Sequence, residues 1–149
     1  MTTPYLLADI KSDEGCRLAA YPDPISHGAP WTIGYGHTGP EVHPGLDWTP
    51  SQCDGALATD AGKVQLGLDT AMPWWRTLND PRQDVLVNMA FNLGLHGLLA
   101  FSDTLALIKG GQFQRAGLAM LDSTWAKQLP NRSHRLAMQM ETGVRQTPQ

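Results

Sequence analysis

The chain of 149 residues holds only two cysteines, Cys16 and Cys53. Two thiols cannot build a disulfide framework or a cysteine-rich zinc site, and both are expected to be structural or incidental, reduced in a cytoplasmic protein. No apolar run approaches the ~20 residues that span a bilayer, so no stable membrane insertion is expected. Met1-Thr2-Thr3-Pro4-Tyr5 lacks the basic start and apolar stretch of a secretory leader, so the product is expected to stay in the cytoplasm where it is made. Positive charge is also short: 11 Lys and Arg stand against 14 Asp and Glu, a net charge of −3. That argues against nucleic acid as a partner, which would call for a basic patch or stripe. It also leaves any steering toward an anionic surface to local clusters. Repeats, low-complexity tracts and linkers are missing, and histidines 27, 37, 43, 96 and 134 show no His-x-x-x-His spacing, so no metal site is expected.

What remains is an ordinary globular composition, 42% hydrophobic and 17% charged, at the size of one domain. Leu6, Leu7 and Ile10 fall at helical spacing and predict a first helix over residues 4–14. Glu14 lies four residues after Ile10 and continues the apolar stripe. The next stretch, to about residue 48, is rich in proline, glycine, aromatic and β-branched residues, which suits a small antiparallel sheet. Residues 31–38 alternate cleanly. The alternation predicts Trp31, Ile33, Tyr35 and His37 on one face and Thr32, Gly34, Gly36 and Thr38 on the other. From residue 49 the pattern is helical. Thr49-Pro50-Ser51-Gln52 reads as a capping box opening a long helix to about Met72. Asp80-Pro81-Arg82-Gln83 repeats that logic, with Val85, Leu86, Met89, Ala90 and Leu93 as the buried stripe and Gly94 as the stop. Shorter helices are predicted over 103–109, 112–121, 123–127 and 132–142. The fold class is α+β: a single domain over 1–149, its β-rich lobe at about 15–48, its helical lobe and connecting helix at 1–14 and 49–149, and a cleft between the lobes.

Two carboxylates in the front segment occupy different settings. Glu14 ends a helix on its apolar side, where desolvation favours the protonated acid, and Asp23 lies between prolines in a turn, where solvation favours the ionised base. Such a divided pair suits general acid and general base catalysis. Glycines at 34 and 36 beside Thr32 leave a bare face that a ligand or another backbone could approach.

These residues resemble a known signature. Glu14-Gly-Cys-Arg-Leu, Ala20-Tyr21-Pro22-Asp23 and Thr32-Ile-Gly-Tyr-Gly-His37-Thr38 are similar to the motifs of family 24 glycoside hydrolases, the phage-type lysozymes or endolysins. So are Asn88-Met-Ala-Phe91-Asn92-Leu-Gly94, Trp125-Ala-Lys-Gln128-Leu-Pro130-Asn131-Arg132 and Thr142-Gly143. The resemblance implies a lysozyme-like fold and a muramidase that cuts β-1,4 bonds between N-acetylmuramic acid and N-acetylglucosamine in peptidoglycan, without a cofactor. It implies Glu14 as general acid, with Asp23 as the carboxylate that activates water and Thr32 as the residue that helps hold it. It also implies supporting or substrate-binding roles for Arg132, Asn88, Asn92 and Gly34, with Arg132 reaching the acid, and a structural pair between His37 and Asp60. Eight residues separate Asp23 from Thr32, where the family has five. The competing register would put Ala29 at the threonine position, but the motif after Thr32 argues against it. A monomer is expected, without a separate wall-binding module and dependent on a holin-type permeabiliser to reach the wall from the host cytoplasm. Trp74 and Trp75 are read as packing rather than sugar-stacking residues. The rival readings are a zinc amidase or peptidase, and an inactive wall-binding or virion structural protein of the same fold.

Overall fold

A computed structural model describes residues 3–24 and 26–148. It is α+β, as predicted, and divides into two compact units over residues 1–63 and 64–149. The elements are α1 (Pro4–Glu14), β1 (Arg17–Tyr21), β2 (Thr32–Gly34), β3 (His37–Thr38), α2 (Pro50–Ala71), α3 (Asp80–Leu99), α4 (Ser102–Lys109), α5 (Phe113–Leu121), α6 (Thr124–Gln128) and α7 (Pro130–Thr142), with a short 3₁₀ helix at Pro73–Thr77. Helix α2 runs through the division between the units.

In the first unit, Thr3 caps α1 by accepting the Leu6 N–H at 3.0 Å, and Pro4 occupies a position where no amide hydrogen is needed. Leu6 and Ile10 are buried one turn apart, and Glu14 follows after another turn. The antiparallel sheet has the order β1-β2-β3. Arg17 stands opposite Gly34 and Tyr21 opposite Thr32, so β1 advances further than β2 between the two pairs and carries a bulge. The far edge of β1 is covered by residues 46–48: Ala20 N–H donates to Leu46 O at 2.9 Å, and Trp48 N–H to Leu18 O at 2.7 Å. The capping box forms as predicted. Gln52 N–H donates to Thr49 Oγ1 at 3.3 Å, and Thr49 N–H to Gln52 Oε1 at 2.8 Å.

The continuous strand predicted over 31–38 is not what forms. The chain reverses through Gly34-Tyr35-Gly36, so β2 and β3 are two short strands, with Ile33 opposite His37 and Thr32 opposite Thr38. Gly34 and Gly36 have φ of +66° and +79°, a region that costs residues with a side chain about 1–2 kcal/mol. Opposed residues of an antiparallel pair point to the same side, so His37 still shares a face with the buried Ile33.

In the second unit the predicted helices all form, with differences at their ends. The cap of α3 is Asn79, whose Oδ1 accepts the Arg82 N–H at 3.2 Å, one residue before the predicted Asp80. Regular helix breaks at Gly94 (φ 77°, ψ 158°), but helical backbone resumes to Leu99. Helix α3 carries more than a stripe, since every residue from Asp84 to Ala90 is buried. Arg145 lies 2.6 Å from the buried Asp84 and supplies its counter-charge. The last carbonyls of α7 are satisfied by one side chain: Arg82 donates from Nε to Met140 O at 2.7 Å and from Nη2 to Glu141 O at 3.0 Å. Trp75 is buried, as the packing reading requires, and donates to Asp69 Oδ1 at 2.8 Å, while Trp74 is half-buried. Among the described residues no single helix is long and apolar enough to cross a membrane.

Candidate active site

The first unit carries Glu14, Asp23, Thr32 and Gly34. Glu14 is the last residue of α1 and is half-buried, as its place after Leu6 and Ile10 requires. A carboxylate there faces the negative end of the helix dipole, a position that stability alone does not favour. The hairpin corner comes close to it with bare backbone: a Cβ built on Gly36 would lie 3.6 Å from Glu14 Oε2. The reversal at residues 34–36 therefore brings the sheet corner, rather than the middle of a strand, up to the glutamate.

Asp23 and Thr32 sit at the two ends of one loop. Tyr21 and Thr32 are opposed in the sheet, so Asp23 lies two residues beyond the last pair of β1 while Thr32 begins β2. The longer connection between them closes on itself. Asp23 N–H donates to Gly28 O at 2.9 Å, and His27 N–H to Asp23 O at 2.8 Å. The Asp23 carboxylate takes part, because Oδ2 accepts the Ser26 N–H at 2.8 Å. Ser26 Oγ donates to Ala29 O at 3.2 Å, and His27 stands at φ +60°. The extra residues thus form a small folded-back loop beside Asp23. They do not displace Thr32 from the sheet, and Ala29 lies outside it. Gly34 is buried, and a Cβ there would lie 3.2 Å from Trp48 Cζ3 and 3.5 Å from Cys53 Sγ. Its side-chain-free face is therefore filled by Trp48 and Cys53.

His37 is held as a structural residue, with one partner more than the sequence suggested. Nδ1 lies 2.6 Å from Asp60 Oδ2, the expected pair, and Nε2 lies 2.6 Å from Glu41 Oε1. Burial by itself would lower the imidazole pKa, but hydrogen bonds to Glu41 and Asp60 outweigh it and raise the pKa above its ordinary value. The Glu41 carboxyl is correspondingly lowered, chiefly by the bond from His37. Glu41 lies one helical-turn spacing beyond His37 in a non-helical segment, so periodicity gave no reason to single it out.

In the second unit Arg132 is 8% exposed and Asn88 1%, and Arg132 Nε donates to Asn88 Oδ1 at 3.0 Å. A solvated helix-start arginine is therefore excluded. Asn92, one turn along α3, accepts at Oδ1 from Trp125 Nε1 at 2.8 Å, which fixes the amide and the indole together. Trp125 packs edge-on to Phe101, ring centres 6.1 Å apart. Both rings help line an open groove of about 440 Å³ with Asp103, Asp122 and Ser123. Asn88 and Asn92 are thus neither plain surface nor idle, and both anchor larger side chains. Among the described residues no three His, Cys, Asp or Glu side chains cluster as metal ligands would.

A family model described as phage lysozyme matches residues 11–139. The chain is 35% identical to the endolysin of Bacillus phage B103 over 107 residues, covering 72% of this chain and 39% of that protein. It is 30% identical over 159 residues to the pre-baseplate central spike protein Gp5 of Enterobacteria phage T4, covering 90% of this chain and 27% of that protein. It is 36% identical over 70 residues to probable T4-type lysozyme 1 of Dictyostelium discoideum, covering 47% of this chain and 41% of that protein. The chain spans between about a quarter and two fifths of the length of these relatives.

Proposed function

The chain belongs to the phage lysozyme family, and from that premise we propose that it is a muramidase hydrolysing the β-1,4 bond between N-acetylmuramic acid and N-acetylglucosamine in peptidoglycan. The observation that carries this reading is the setting of the three residues. Glu14 closes α1 against the bare Gly36 corner, and Asp23 and Thr32 stand at the two ends of one loop. In the proposed reaction Glu14 gives its proton to the glycosidic oxygen as the bond breaks. Asp23 takes a proton from a water that the Thr32 hydroxyl helps to hold, and that water attacks the anomeric carbon from the opposite face. Inversion by this route needs room for the water, which corresponds to carboxyl groups ~6.5–9.5 Å apart. The Ser26 N–H bond to Asp23 Oδ2 supports the role of base, since it holds one carboxylate oxygen in place. Arg132, Asn88 and Gly34, all buried, are proposed as supporting residues, and Asn92, half-buried, as a supporting or sugar-binding one.

The biological role we propose is host lysis at the end of a phage cycle by a monomeric, cofactor-free enzyme made in the host cytoplasm. It would reach the wall once a holin-type partner has permeabilised the membrane. Similarity to Gp5 over 90% of the chain favours a second reading, a catalytically inactive virion structural protein of lysozyme fold. Turbidity loss of outer-membrane-permeabilised Gram-negative cells separates the two. Glu14→Gln should clear such cells at least a hundredfold more slowly than the parent protein, in line with loss of a general acid. Equal clearing by both proteins, or none by the parent, refutes the enzymatic assignment.

A further inference from the structure

The sequence suggests no use for the two cysteines, yet the fold brings them together. Cys16 is exposed at the start of the sheet, two residues after Glu14; Cys53 is buried in the first turn of α2. The Cys16 side chain lies close enough to Cys53 to perturb its thiol. Three further relations place segments around Cys16 against the start of α2. Lys11 Nζ lies 3.0 Å from Asp54 Oδ1, tying α1 to the residue after Cys53. A Cβ on Gly34, the residue opposite Arg17 in the sheet, would lie 3.5 Å from Cys53 Sγ. The Tyr35 hydroxyl is raised in pKa by its burial first, and then by Cys16 and Asp54 beside it. Both cysteines are free thiols in this structure.

We propose that Cys16 and Cys53 are a redox-closable pair, joined as a disulfide when the protein meets a low-molecular-weight disulfide such as glutathione disulfide. The exposed sulfur acts first. The Cys16 thiolate, its proton passed to solvent, attacks one sulfur of the oxidant and releases one glutathione thiolate, leaving a mixed disulfide. Cys53 then loses its proton to water, and its sulfur attacks that of Cys16 and expels the second glutathione. Two protein thiols are oxidised and one glutathione disulfide is reduced to two thiols. Burial is the largest cause that holds the Cys53 thiol up, at about 11 while Cys16 is a thiol beside it; the burial persists in the mixed disulfide, so the second step is the slower one. Closure would tie the segment after Glu14 to α2 and close a loop over residues 17–52. The bond would form in an oxidising compartment and stay open under reducing conditions.

The test uses the full chain, reduced and then equilibrated with glutathione disulfide, alkylated, digested and mapped by mass spectrometry, with thermal unfolding in parallel. A crosslinked Cys16–Cys53 peptide, two hydrogens lighter than the sum of its parts, is expected. It should be accompanied by a melting temperature raised by about 10 °C and reversed by dithiothreitol. Because Cys53 is buried and its replacement can impair folding, the exposed Cys16→Ser is the control. It should show no rise under the same oxidant. A glutathione adduct on Cys16 with Cys53 still alkylatable after unfolding overturns the proposal. So does a crosslink only between chains, or a rise that persists in Cys16→Ser. None of these readouts depends on glycosidase activity, so the muramidase reading stands or falls separately.

Discussion

Replacing Gly34 and Gly36 by alanine, one at a time, divides the stability of the hairpin corner from its service to Glu14. Both positions have positive φ, so either alanine carries about 1–2 kcal/mol of backbone strain. At Gly34 the new methyl also meets Trp48 Cζ3 at 3.2 Å and Cε3 at 3.3 Å, with Cys53 Sγ at 3.5 Å. The Trp48 ring is packed against His37, centres 5.4 Å apart, and has to shift, which adds about 1–2 kcal/mol. At Gly36 the nearest atom is Glu14 Oε2 at 3.6 Å, an ordinary contact with no overlap to relieve. Gly34→Ala should therefore cost about 2–4 kcal/mol and Gly36→Ala about 1–2 kcal/mol. At about 2–4 °C per kcal/mol, melting temperatures fall by about 4–16 °C and about 2–8 °C respectively. Activity should rank the other way, because the Gly36 methyl sits on the proposed acid. Cell-wall clearing per folded molecule should drop about tenfold or more in Gly36→Ala, equivalent to about 1.4 kcal/mol of transition-state stabilisation. Thermal unfolding by circular dichroism at pH 7 and turbidity at 25 °C measure the two effects. Equal melting shifts together with unchanged clearing by Gly36→Ala would refute the reasoning.

The His37 cluster sets a pH window. Its folded pKa is raised, so its contribution is complete below about pH 6.5 and fades as pH climbs through the folded value. Glu41 is lowered, so its share is present above its ordinary value of 4.5 and fades as pH falls through the folded one. The melting difference between the parent and His37→Gln should peak near pH 5–6 and shrink toward pH 9; a difference that grows with pH contradicts the pairing. Asn88→Ala removes the acceptor of a buried guanidinium bond and should cost about 2–3 kcal/mol in urea unfolding. A loss under about 0.5 kcal/mol would mean that the Asn88–Arg132 bond carries no weight. Glu14→Gln swaps a half-buried acid at the unfavourable end of α1 for an amide of the same shape and should leave the melting temperature unchanged or raise it by about 1–3 °C. A large fall would make Glu14 a structural residue.

The helices were legible because their signals are local. Thr49 and Gln52 cap each other within one turn, and Leu6, Ile10 and Glu14 follow one periodic line. The hairpin was misread for the same reason. Gly34 and Gly36 two residues apart continue an alternation and also permit a reversal, and periodicity does not distinguish the two. Asn79 and Asp80 are both good caps, so the start of α3 could shift by one residue. The partners that escaped are tertiary. Asp84 finds Arg145 at the far end of the second unit, and His37 gains Glu41 only because the chain turns back after β3. The Cys16–Cys53 contact likewise depends on how α1, the sheet and α2 meet. Of the site, residue types and order were visible from motif resemblance. The self-closed loop beside Asp23 and the Asn88–Arg132 and Asn92–Trp125 anchors came only with the fold.

The assignment of Glu14 and Asp23 is tested most directly by reducing-end analysis of purified peptidoglycan digested by the protein, with Glu14→Gln in parallel. A muramidase of this kind should release new reducing ends that are N-acetylmuramic acid, first seen as the α anomer if the β bond is inverted. Glu14→Gln should release almost none. Newly freed amino groups without new reducing ends would place the cut in the peptide instead, and reducing ends formed equally fast by Glu14→Gln would remove Glu14 from the chemistry.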